Sequence, residues 1–189
     1  MYQIKGRIEG VADLLFNQMT EEAEINIRGG TGGGKFTDDQ RTDEAKKKYP
    51  VDDDNNAIIS SWMFKRVLTD GCKAGNLKEG RKSLAPFLLA TVFVDGFIRI
   101  TPNIYDYIHE SPGKRPPKTG GACIIKRPAF KAGWVADFTL NVLDDRINAN
   151  QIRISLEEAG LRVGIGSWRP EYGRFIVTDW NVIQNRKNK

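Results

Sequence analysis

An α+β fold, in which four antiparallel strands carry two helices in the order βαββαβ, is predicted by three observations on this sequence. Tyr2 to Glu9 alternates apolar and polar residues at a period of two. Met63, Phe64, Val67, Leu68 and Cys72 recur at helical spacing. After them, runs of strand composition alternate with one further helical pattern, Ile152, Leu156 and Ala159. With 189 residues, 40% of them hydrophobic and 28% charged, the chain suits a single domain over 1–189 with loop insertions.

Each element follows in order. Tyr2 to Glu9 reads as a half-buried strand, and Val11, Leu14, Leu15 and Phe16 as an apolar cluster against the core. Thr20 to Asp54 turns polar and glycine-rich, which predicts a mobile insertion with a short helix at Asp43 to Lys48. Ser60 offers an N-cap to the first long helix, which Gly75 and Asn76 stop. Phe87 to Ile100 reads as a buried strand broken by the turn pair Asp95-Gly96. Asn103 to Gly121, rich in proline and glycine, reads as an exposed loop insertion. Ala122 to Ile125 and Trp134 to Leu143 are strands, Asn148 to Ala159 is a helix stopped by Gly160, and Phe175, Val177 and Ile183 mark the last strand. A basic tail occupies residues 184–189. The sum is a split βαβ, ferredoxin-like or RRM-like core with one sheet face available for a ligand.

A net charge of +5 and a pI near 9.2 permit a polyanion partner without demanding one. Cys72 and Cys123 lack any paired spacing and read as small core residues. The alternating start is unlike a signal peptide, and no apolar run is long enough to cross a bilayer, so a cytoplasmic protein is expected.

Several patterns invite chemistry. Gly29, Gly34 and Lys35 approach a P-loop, but Phe36 stands where the magnesium-binding hydroxyl belongs, and no helical periodicity follows. His109 is the only histidine; as a general acid or base it would need Tyr105, Tyr107 or Lys114 as partner. Asp52-Asp53-Asp54 lacks calcium-loop spacing and reads as a solvated turn, and neither metal nor cofactor is expected. Gly164 to Phe175 combines permissive backbone at Gly164, Gly166 and Gly173, cations at Arg169 and Arg174, and aromatic faces at Trp168, Tyr172 and Phe175, which suits phosphate approach and base stacking. The same glycines also serve a tight turn, with Trp168 and Phe175 in the core. Lys126, Arg127 and Lys131 repeat the basic-plus-aromatic theme before Trp134, and Pro128 among them predicts an edge strand or connection. These two segments are expected to lie near each other.

The strand Ile4 to Ile8 running into Gly10-Val11-Ala12-Asp13-Leu14-Leu15, the segment Ala57 to Ser61 entering the first long helix, and the glycine loop Gly164 to Phe175 together resemble the RAMP superfamily. These are the RRM-like backbone and processing subunits of CRISPR ribonucleoproteins, and the chain is most similar to their stand-alone phage-type relatives. The resemblance implies single-stranded nucleic acid, RNA in preference to DNA, held by sheet-face and loop contacts, with side-by-side assembly of copies. The family's glycine loop maps to Gly164, Gly166 and Gly173; Glu171 inside it and the insertion at Thr20 to Asp54 depart from the pattern. Three functions are therefore expected in order: a non-enzymatic binder of single-stranded nucleic acid; a structural or interaction protein, such as a phage-encoded decoy or a subunit of a larger complex; and a metal-independent endoribonuclease using His109.

Overall fold

Period-two alternation makes Tyr2–Gly10 the first strand, β1, with Ile4 and Ile8 buried and Lys5, Arg7 and Glu9 exposed. A computed structural model describes residues 1–29, 37–114 and 121–184. The apolar cluster that follows forms β2 (Leu14–Leu15) and, with Phe16, is buried. The polar stretch 20–54 contains α1 (Glu21–Arg28) and α2 (Asp38–Ala45). The helix expected at Asp43 to Lys48 thus begins earlier, because Thr37 and Gln40 cap it reciprocally. Residues 30–36 lie outside the described residues, and with them the glycine run of the P-loop reading.

The short β3 (Ile58–Ile59) leads into α3 (Ser61–Ala74), which buries the predicted stripe of Phe64, Val67, Leu68 and Cys72. Ser60 occupies the cap position with extended backbone, but its hydroxyl makes no capping bond. A small hairpin, β4 (Lys78–Glu79) with β5 (Lys82–Ser83), precedes α4 (Ala85–Thr91), a helix where a strand was predicted. Pro86 is preorganised for a first helical turn, Leu88, Leu89 and Ala90 are good helix formers, and β-branched residues begin only at Thr91. There the chain turns to strand, β6 (Val92–Val94) and β7 (Ile98–Thr101), interrupted as predicted at Asp95-Gly96, where Gly96 takes a positive φ.

The expected loop from Asn103 onward is instead largely strand: β8 (Tyr107–Lys114) pairs with β9 (Ala122–Phe130). Its proline content misled the reading, because Pro112 lies out toward the hairpin's tip, opposite Ile124. Residues 115–120 are not described. After β10 (Val135–Val142), Asn148 and Gln151 form a second reciprocal cap on α5 (Ala149–Glu158). Gly160 does not stop this helix. The chain continues through a π-helical turn, Ala159–Val163, and a Cβ on Gly160 would lie 2.1 Å from the Phe175 carbonyl oxygen, so the glycine permits close approach to the final strand, β11 (Phe175–Gln184).

The architecture is α+β with antiparallel sheets. The main sheet runs β11-β1-β10-β7-β3, with β6 also pairing β10. Ile4 lies opposite Leu140 and Ile8 opposite Ala136, so one face is continuously apolar, and Phe64, Leu68, Ile152 and Leu156 of α3 and α5 join that core. The helices cross at Gly71, where a Cβ would stand 2.1 Å from the Ser155 carbonyl oxygen. The second sheet, β2-β9-β8, puts β9 at its centre, contrary to the edge expected from Pro128. An N–H and a C=O of one strand residue point the same way, and the Pro128 carbonyl accepts from Phe16 just past β2, so the missing donor falls where that ladder has ended. Edge-to-face contacts of Phe130 with Phe16 and with Tyr49 join this sheet to the core.

Candidate functional site

Because cross-strand partners share a face, the β8–β9 register sorts the hairpin's side chains into two sets. Glu110 pairs with Lys126 on one face, and His109 with Arg127 on the other, where Tyr107 and Ser111 flank them. On the first face Lys126, buried, reaches Asp38 of α2 at 2.8 Å, Glu110 at 2.9 Å and the Thr42 hydroxyl at 2.9 Å. The hydrogen bonds it donates to Asp38 and Glu110 hold its ammonium above the usual lysine range. Lys126, expected to bind a polyanion, is committed to two carboxylates of its own chain.

The second face receives the glycine loop. Ile165 N–H donates to the Gly173 carbonyl, Ser167 N–H to Leu15 and Gly173 N–H to Asp13, at 2.7–2.8 Å. A Cβ on Gly173 would lie 1.7 Å from the Ile165 carbonyl oxygen and one on Gly166 2.4 Å from that of Leu15, and both have positive φ. The glycines therefore let the chain approach itself. Phe175 enters the core, as the turn reading expected, but Trp168 does not: the residue is 40% exposed and its φ is 59°.

Trp168 lies over the Arg127 guanidinium, 4.3 Å from Cζ to the ring centroid. His109 sits against Trp168 and Tyr172 at 5.7 and 5.3 Å between centroids. The expected proximity of the Arg127 segment and the glycine loop is thus met through this stack. Arg127 is 4% exposed; Nη1 donates to Ser111 Oγ at 3.2 Å, and Nε is buried without an acceptor. Burial pushes its pKa down. Arg169, Arg174 and Lys131 are exposed; Arg169 Nη1 reaches the Gly164 carbonyl at 3.5 Å, Lys131 N–H donates to Asp106, and Arg174 faces a different hollow, beside Val11 and Leu161.

Asp13 ties these parts together. It accepts from the Tyr107 hydroxyl at 2.6 Å and the Ala132 amide at 2.8 Å, while its carbonyl holds Gly173. Burial first, then Asp13, pushes the Tyr107 phenol's ionisation far up, so Tyr107 stays protonated. Sequence reasoning named Tyr107 only as a partner for His109, and missed Ser111 and Asp13 as site members. The alternation Tyr107, His109, Ser111 was the available signal, hidden by reading the stretch as loop.

Elsewhere the structure is less inviting. The exposed positions of β1 and β10 carry no aromatic side chain: Arg7 makes a two-pronged pair with Asp137, and Gln3 donates to Asn141. Base stacking on the two central strands is therefore not available. Asp52 is not a solvated turn residue but is buried, accepting from Asn56 and from Arg99 Nε at 2.7 Å. Among the described residues no cluster could hold a metal ion, and no helix is long and apolar enough to cross a membrane. Behind the loop, Ser167, Asn17 and an exposed Trp62 line a hollow of about 400 Å³.

No protein-family model and no curated protein matches the chain. Among solved structures it is similar to a chain of the cryo-EM structure of the Type III-B Cmr-beta bound to cognate target RNA, at a TM-score of 0.51 and 14% identity. The match covers 97% of this chain and 61% of that one, so this chain spans about three fifths of its neighbour's length. What the likeness establishes is the fold: this chain shares its α+β arrangement with a chain of that assembly.

Proposed function

We propose that this is a RAMP-like protein with an RRM-type core that binds single-stranded RNA without cleaving it, on the surface made by Trp168, Tyr172, His109 and Arg127. The carrying observation is the half-exposed Trp168 indole stacked on a buried guanidinium, a platform ready for an unpaired base. The core reading is supported by the order β11-β1-β10-β7, with α3 after β1 and α5 after β10, and by the likeness to a chain from an RNA-bound assembly. The exposed Arg169, Arg174 and Lys131 supply sequence-independent attraction to phosphates.

Binding rather than cleavage is favoured by the surroundings of His109. Its ring is wedged between two aromatics, and the nearest candidate partner, the Tyr107 hydroxyl, is given to Asp13. Filter binding of a 20-nucleotide unstructured RNA across a salt series tests the proposal. Affinity should fall linearly on log axes, and Trp168→Ala should weaken it by about 1–3 kcal/mol, one stacked base. A flat salt response ends the RNA reading, and cleavage that disappears in His109→Ala ends the non-enzymatic one. A second reading, self-association, is favoured by exposed Val11, Leu161 and Ile176 around a hollow of about 310 Å³ beside β11. Sedimentation of wild type against Leu161→Asp decides it: the variant should shift to a smaller species.

A further inference from the structure

Lys126 and Arg127 are neighbours on one strand and nearly equally buried, yet they are treated oppositely. Lys126 has two carboxylates and a hydroxyl within 3 Å. Arg127 has one long hydrogen bond to a neutral serine and the face of an indole; among the described residues no carboxylate pairs with it, and its Nε has no acceptor at all. A fold that buries a cation without an anion carries an unbalanced charge, which an anion from outside can balance. The indole above it is partly exposed, and Trp168 holds a left-handed backbone that a bulky residue rarely adopts.

We propose that Arg127 is a receptor for a phosphate oxyanion, uncovered when the Trp168 indole swings aside. The guanidinium is a planar fork that matches two phosphate oxygens, and Nε is one tine already lacking a partner. Ser111 holds Nη1 and so orients the fork from behind. The displaced indole remains among His109 and Tyr172, free to stack on the base attached to that phosphate. The oxyanion comes either from a phosphodiester of a bound strand, in which case the inference rests on the RNA reading, or from a free phosphate or mononucleotide.

Three proteins separate these cases: wild type, Arg127→Met and Trp168→Gly. Each is melted, titrated with inorganic phosphate by calorimetry and tryptophan fluorescence, and titrated with the 20-nucleotide RNA at several salt concentrations. Arg127→Met replaces an unbalanced cation with an apolar chain of similar reach, so it should melt at or above the wild-type temperature while losing phosphate binding and flattening the RNA salt slope by about 0.7, one phosphate contact. Trp168→Gly fits the positive φ and leaves the guanidinium open, so it should bind inorganic phosphate several-fold more tightly and show no fluorescence response. RNA binding with an unchanged slope in Arg127→Met overturns the receptor and leaves the RNA reading standing. Phosphate bound at Arg127 with no RNA bound by wild type keeps the receptor and overturns the RNA reading. Should Arg127→Met fail to fold, Trp168→Gly decides: phosphate binding no tighter than wild type sinks the proposal.

Discussion

Asp52 shows how much one carboxylate can do when its partners are placed. Burial alone would raise its pKa, but hydrogen bonds from the Asn56 amide and side chain and from Arg99 outweigh that and hold it low. Asp144, against Arg146, is held at about 2 by the arginine's side-chain and backbone hydrogen bonds. Both folded values lie under the unfolded one, about 3.9, so each stabilising contribution is complete above that pH and is lost as the pH falls through the folded value. For Asp144 the window runs from about pH 4 down to about 2. The melting-temperature gap between wild type and Arg146→Ala should therefore be open at pH 5 and close as the pH approaches 2. Glycine gives the other residue-scale test: Gly173→Ala forces a Cβ into the Ile165 carbonyl at positive φ and should destabilise by about 2 kcal/mol or more, read by urea denaturation. The glycines were legible in the sequence, but not what approached them. Only the fold shows that it is the chain's own carbonyls.

Elements differ in how openly the sequence declares them. β1, α3 and α5 each bury one face against a single layer, so their periodicity survives in the apolar residues. α4 was hidden because Phe87, Leu88 and Leu89 form a run too short to show a period, and β8 because the face carrying Tyr107, His109 and Ser111 is polar though partly covered by aromatic groups. Where α3 crosses α5, Gly71→Ala should overpack the contact with the Ser155 carbonyl and cost about 1–3 kcal/mol, measured by chemical denaturation. Ser60, by contrast, makes no capping bond, so Ser60→Ala should cost less than the roughly 1 kcal/mol typical of a functioning cap.

Across the whole molecule, the proposed binding surface lies beside the main sheet and not on it. Gln3 and Arg7 of β1 are paired with Asn141 and Asp137 of β10, while the second sheet and the glycine loop assemble the aromatic and cationic groups. Such a site depends on what locks the two parts together, and that is Asp13. Asp13→Ala removes two charge-assisted hydrogen bonds, at about 1.5 kcal/mol each, and should weaken both stability and RNA affinity, whereas Arg7→Ala, on the open sheet face, should leave RNA affinity unchanged. The sequence placed the loop and the Lys126 segment near each other but could not place Asp13 between them, since no local pattern marks a residue that bonds 94 and 119 positions away.

The opposite treatment of Lys126 and Arg127 also fixes how the hairpin is threaded. Side chains alternate, so sliding β9 by a single residue against β8 would present arginine to the two carboxylates and lysine to the indole. The ammonium could not stack as a flat plate, and the guanidinium would give up the indole for two carboxylates that are themselves largely exposed. The pair of adjacent cations thus acts as an alignment mark, making the one correct threading the one in which each charge meets the shape that suits it.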